Sequence, residues 1–184
     1  RDWKLQKTSP SVAECVTKAN ATVSSLIKNF LKDISVYVDE IDEVLESECF
    51  YKDIFITVNG VDIPLPLSIK IDVVVRLKSG KIVIIDHKSK GQYTGEDSIK
   101  LAVGKQAITY VLAYEEISGL KVDEVWFIEN KYTQNRDKNI PQLVKFPLDF
   151  TDINERKYYE AMLYESLRSL IIAVNDPDYV YVMN

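Results

Sequence analysis

Asp72 interrupts an apolar run, Ile71-Asp72-Val73-Val74-Val75. A carboxylate there must face solvent, a partner or a metal, because an unpaired buried charge is very costly. Fourteen residues later the run Ile84-Ile85 ends on Asp86-His87-Lys88. In extended backbone the side chains of Asp86 and Lys88 leave on one side and that of His87 on the other. The short Lys78-Ser79-Gly80-Lys81 turn between the two runs predicts a hairpin, with Asp72 and Asp86 as cross-strand neighbours near its open ends. Two carboxylates and an ammonium converging in this way suit hydrolysis of a phosphodiester. The carboxylates, with the backbone carbonyl of His87, are hard oxygen ligands for Mg²⁺ or Mn²⁺. One such ion polarises the phosphate and lowers the pKa of water, and a second stabilises the leaving 3′ oxygen. Lys88 can hold or polarise the attacking water, or offset charge in the transition state. A structural ion pair at a strand end is the alternative that a bare DxK leaves open.

These residues need strands and helices to hold them, and the chain supplies both patterns. Residues 11–33 read as an amphipathic helix, with Val12, Cys15, Val16, Ala19, Val23, Leu26, Ile27 and Phe30 recurring at three- and four-residue steps. Ser9-Pro10 is a plausible start for it. The stretch 36–48 fits either a helix or the beginning of a strand. Residues 49–58 are aromatic and β-branched, and Asn59-Gly60 signals a turn. Strands are predicted at 67–77 and 81–86, the second continuous in apolar character and so central in a sheet. A polar loop follows at 89–98, then a helix at 99–117, strands at 122–129 and 142–147, and a helix at 154–174 ended by Asp176-Pro177. This order predicts an α/β fold with a central mixed β-sheet flanked by helices.

The 184 residues suit one domain spanning 1–184. No apolar run approaches the roughly 20 residues that cross a bilayer, and Arg1-Asp2-Trp3-Lys4 is no secretory signal. The first residue is not Met, consistent with a piece of a longer polypeptide. Cys15 and Cys49 are the only cysteines, which argues for a reducing cytoplasmic setting and against an iron–sulfur cluster, which usually takes four. The net charge of −5 is unevenly spread. Residues 70–105 carry eight Lys or Arg against four acids, leaving that window at +4 and the remainder at −9. The basic residues thus gather around the DxK, although a solvated strand face would look the same.

Three pieces of sequence stand in order: IKIDVVV, VIIDHKSK and KQAITYVLAY. Together they resemble the PD-(D/E)XK nuclease superfamily, and within it the RecB/AddB-type exonuclease branch with its phage-encoded and CRISPR-associated relatives. The resemblance covers about residues 40–115. It implies a restriction-endonuclease-like core and a metal-dependent deoxyribonuclease, exonucleolytic on DNA ends or single strands in recombination, repair or phage DNA processing. It implies Mg²⁺ or Mn²⁺ held by Asp72, Asp86 and the His87 carbonyl, with Lys88 catalytic. It further implies a glutamate before Asp72 in the metal shell, Glu46 or Glu48, with Glu43 a third candidate and Glu14 a remote one. Gln106 and Tyr110, at i and i+4 on one helix face, then lie against the active site and contact the nucleic-acid strand. The branch commonly has Gly shortly before the first Asp, whereas Lys70 and Ile71 precede Asp72 here.

His87 is expected to pack or hydrogen-bond on the far side of its strand. Lys90, Lys100 and Lys105 either guide a phosphate backbone or are plain surface lysines. The expected partner is DNA, as single strands or duplex ends, with a helicase or another subunit alongside. A phage-encoded chain would work in the host cytoplasm. Competing readings are a structure-selective endonuclease, a catalytically silent nucleic-acid-binding scaffold of a helicase–nuclease complex, and an unrelated α/β domain whose DxK is an ion pair.

Overall fold

The computed structural model describes residues 11–137 and 139–176. The first helix, α1 (Val12–Asp33), is capped by Ser11, whose extended backbone lets its Oγ accept from the Glu14 N–H at 3.2 Å. Ser9-Pro10 and Pro177 lie outside the described residues. The ambiguous stretch resolves into a single turn of helix, α2 (Ser35–Val38), followed directly by a 14-residue strand, β1 (Ile41–Ile54). β2 (Thr57–Val58) and β3 (Val61–Asp62) form a small hairpin. Its two turn residues, Asn59 and Gly60, both take positive φ, at 51° and 75°, which explains why Asn-Gly stands there.

β4 (Leu67–Leu77) and β5 (Ile82–Lys90) are the predicted hairpin. Gly80 turns it at φ 87°, a left-handed conformation that suits glycine. β5 runs past Asp86 to Lys90, which puts Asp86 in mid-strand rather than at the predicted strand end. The long helix α3 (Glu96–Ser118) begins three residues before the predicted 99, with Gly119 ending it at φ 69°. β6 (Glu124–Lys131), β7 (Leu143–Asp149) and α4 (Ile153–Asn175) complete the order.

The main sheet has five strands in the order β1-β4-β5-β6-β7. β1 and β5 both run antiparallel to β4. The Asp123 N–H bonds the Ile82 carbonyl and the Tyr132 N–H the Lys90 carbonyl, so β6 starts and ends beside the start and end of β5, in parallel. The α3 crossover makes that direction possible. β7 returns antiparallel, the Lys131 N–H bonding the Gln142 carbonyl and the Phe150 N–H the Asp123 carbonyl. The sheet is therefore mixed and the fold α/β, with helices flanking the sheet as predicted. Pro147 is tolerated in β7 because that strand is an edge. β5 is buried without a break from Ile82 to Asp86, in keeping with its central position.

The chain gathers into two compact units. One comprises the described residues up to Asp39 with His87–Tyr93 and Ile128–Lys145. Its interior is unusually polar. Asn29, the buried residue of α1, donates to the Lys131 carbonyl at 2.7 Å, Asn130 donates to the Leu26 carbonyl, and buried Gln142 donates to the Lys131 and Thr133 carbonyls. The face of α1 turned inward is thus the one that satisfies main-chain groups. Of the apolar stripe that marked the helix in the sequence, Val12, Val16, Ala19, Val23 and Ile27 are exposed, whereas Cys15, Leu26 and Phe30 are half-buried.

The other unit comprises Glu40–Asp86, Thr94–Phe127 and Phe146 onward. Ile71, Val74, Val83, Ile84, Ile108 and Trp126 are among the buried residues of its core. There α3 packs on β1, on β4 and on α4. Arg156 of α4 grips Glu115 of α3 with two hydrogen bonds, at 3.0 and 2.8 Å, and also reaches Glu160. A Cβ on Gly104 would meet the Tyr159 ring at 2.5 Å, so the two helices approach each other through a glycine.

Candidate active site

The β4–β5 ladder runs from Arg76↔Ile82 to Val73↔Ile85, and Asp72 and Asp86 are the next residue of each strand beyond it. In an antiparallel pair such residues point to the same face. Asp72 is half-buried, whereas Asp86 is only 4 % exposed. A carboxylate held that deep needs donors, and α3 provides two. The Gln106 Nε2 and the Tyr110 hydroxyl each donate to Asp86 Oδ1 at 3.2 Å, and Gln106 also donates to the Tyr110 oxygen at 2.6 Å. Burial pushes the Tyr110 hydroxyl up to about 12, with the charges of Asp86 and Asp72 adding to the shift. The phenol therefore stays protonated at neutral pH and senses both carboxylates. The structure brings Asp72, Asp86, Gln106 and Tyr110 to one place.

One turn further along α3, the Tyr114 hydroxyl donates to Glu46 Oε1 at 3.2 Å. The Tyr51 hydroxyl donates to the other oxygen of Glu46. Burial of Glu46 works to raise its pKa, but the hydrogen bonds from Tyr51, Cys49 and Tyr114 outweigh it and hold the carboxyl below its usual value. Glu46 pairs across the ladder with Val74, two residues from Asp72 on the same strand. Glu48 has left-handed backbone, with φ 51°, and its carboxylate forms an ion pair with Lys70. Glu43 pairs with Arg76 at 3.5 Å, and Glu14 sits in the first turn of α1. Of the four glutamates, Glu46 is the one joined to the α3 face that also holds Asp86.

Lys88 follows Asp86 by two residues in β5, is half-buried, and borders a cavity of about 180 Å³ with Phe30, His87, Ser89 and Asn130. His87 shares a 2.9 Å hydrogen bond between its Nε2 and the Tyr37 hydroxyl, and its ring meets Phe30 edge-on. The imidazole is thus packed and hydrogen-bonded. Lys90 lies 3.4 Å from Glu129, which is only 1 % exposed. Lys100 is paired with Glu155. Lys105 is exposed beside a groove that Tyr158, Met162 and Glu165 of α4 help to line.

Tyr114, Tyr51, Tyr37 and Glu129 were not singled out from the sequence. Tyr114 continues the four-residue step from Gln106 through Tyr110, so the helical period carried its signal. For Tyr51 the strand period points away from Glu46, since residues five apart in a regular strand lie on opposite faces. The left-handed Glu48 between them breaks that alternation.

Among the described residues no group of three or more His, Cys, Asp or Glu side chains forms a site that could hold a metal. The opposed pair Asp72 and Asp86 supplies hard oxygen donors alone, which suits a cation that keeps several waters. The donor chemistry fits Mg²⁺ or Mn²⁺ and offers no sulfur or imidazole ligand that would favour a softer ion.

A five-stranded mixed sheet flanked by helices thus defines the class of fold. No family model and no curated protein matches the sequence. Solved structures do share the architecture. A protein named SSO0001 is similar at 14% identity and a TM-score of 0.44, over 92% of this chain and 76% of its own. A protein of Eubacterium rectale named "Putative exonuclease" is similar at 11% identity and a TM-score of 0.54, over 89% of this chain. The chain covers 57% of that protein, little more than half its length. At such identity the likeness to the latter protein is one of fold alone.

Proposed function

We propose that this chain is a metal-dependent nuclease that hydrolyses DNA phosphodiester bonds, working as an exonuclease on DNA ends or single strands. The observation that carries the reading is Asp86, buried in the middle of β5 and held by Gln106 and Tyr110, whose hydroxyl also feels the charge of Asp72. The fold shared with a protein named as an exonuclease supports it. Asp72, Asp86 and the His87 carbonyl would hold Mg²⁺ or Mn²⁺, with Glu46 or Glu48 as a further ligand. When bound there, the ion polarises the phosphate and acidifies water. Gln106 and Tyr110 fix the Asp86 carboxylate and would present that face of α3 to the nucleic-acid strand. Lys88 orients the attacking water or offsets the charge that builds on the phosphate oxygens. DNA is the partner in this reading, met in recombination, repair or phage DNA processing.

The test incubates the purified chain with linear and circular DNA, single- and double-stranded, in Mg²⁺, in Mn²⁺ and in chelator. Linear DNA is degraded with metal and spared with chelator. Asp86→Ala and Lys88→Ala each lower the rate by about 100-fold or more while the circular-dichroism spectrum stays that of the wild type. Equal rates for wild type and Asp86→Ala would overturn the mechanism. Circular single strands cut as fast as linear ones would overturn the exonuclease part.

A further inference from the structure

Phe50 is 59 % exposed in the middle of β1, where a ring of that size normally finds cover. It pairs across the ladder with Lys70, so the two side chains stand on one face. Lys70 precedes Asp72 by two residues on β4, which carries that face on to Asp72 at a rise of about 6.8 Å, roughly one nucleotide along a strand. The Lys52 ammonium lies over the Phe50 ring, 5.1 Å from its centre. Lys70 is held by Glu48, and its ammonium also feels the charge of Asp72. An exposed aromatic ring with Lys52 over it and Lys70 beside it, two residues along β4 from Asp72, has the composition of a single-strand binding surface: a ring for a base, cations for phosphates.

We propose that Phe50, with Lys52 and Lys70, seats a base of single-stranded DNA next to the phosphate that lies at Asp72 and Asp86. The inference rests on the nuclease reading for what happens at the acids, but the seat itself is a binding site. It favours a strand with unpaired bases over a duplex, whose bases are already stacked. It is indifferent to sequence, because every base has a π-face.

Binding of a fluorescently labelled oligothymidylate is measured by anisotropy in chelator, so that hydrolysis plays no part. The same strand without bases is measured alongside. Phe50→Ala weakens binding of the oligothymidylate by roughly 10-fold and leaves the abasic strand unaffected. Phe50→Trp restores binding, and its added fluorescence is quenched by the strand. Lys52→Ala weakens both strands alike. Equal affinity of Phe50→Ala and wild type for the oligothymidylate overturns the seat. So does an equal loss on the abasic strand, or full restoration by Phe50→Leu, which keeps bulk without a π-face. Loss of binding in Phe50→Ala in a protein that never hydrolyses DNA would sink the nuclease reading and leave the seat standing. Unchanged binding with Asp86-dependent hydrolysis would do the reverse.

Discussion

Glu46 is held by two phenols, and that gives its carboxylate a measurable signature. The Tyr51 hydroxyl, the Cys49 thiol and the Tyr114 hydroxyl bond the charged form and depress its pKa in the folded chain. In the unfolded chain the group returns to its ordinary value of about 4.3. With the folded value the lower one, the stabilisation is complete above the ordinary value and is lost as pH falls through the depressed one. Melting temperatures of wild type and Glu46→Gln, followed from pH 7 to pH 3, should differ most at neutral pH and converge below about pH 4.3. A constant difference would show that the phenols do not favour the carboxylate. At this scale the acids were legible because a lone charge in an apolar run is an anomaly, as at Asp72 and Asp86. The tyrosines were less so: Tyr114 follows Tyr110 at a four-residue step, but a buried tyrosine packs well without any charge to hold, so the step alone does not separate it from a core residue.

The helix that carries Gln106, Tyr110 and Tyr114 is set by what it meets on its other side. Gly104 admits the Tyr159 ring, itself fully buried and tilted against Phe150 at 5.5 Å between centroids. Gly104→Ala should force either the ring or the helix to move, at a cost of about 1–3 kcal/mol against a small gain in helix propensity. Denaturant titration measures that loss. A gain in stability would mean that the ring yields freely. The long periodic elements could be read in advance, and β4, β5, α3 and α4 lie where alternation and helical steps placed them, differing by a few residues at their ends. Residues 36–48 could not, since the single turn of α2 has the same apolar spacing as the strand that follows it. The stripe on α1 misled in another way. Period identifies a helix, but of the stripe only Cys15, Leu26 and Phe30 are half-buried, the last two beside Asn29, which donates to the Lys131 carbonyl.

Over the whole molecule, a net charge of −5 coexists with a basic stretch between residues 70 and 105. Its lysines are not equivalent. Lys90 faces the buried Glu129, while Lys105 is exposed. For single-stranded DNA the salt dependence of binding should therefore fall by about 0.7 in log–log slope in Lys105→Ala, the change expected when one phosphate is no longer neutralised, and stay unchanged in Lys90→Ala. Equal slopes for Lys105→Ala and wild type would take Lys105 out of the strand's path. No helix among the described residues is long and apolar enough to cross a membrane. The close approach of Gly104 and Tyr159 has a final consequence, in terms of inheritance. The residues that touch a substrate are not the only ones a lineage must keep. A hydrogen atom where a methyl would otherwise stand, two residues before Gln106, is as heritable a part of the site as the glutamine itself. A change at Tyr159, on another helix, could open or close the room in which a change at Gly104 is tolerated.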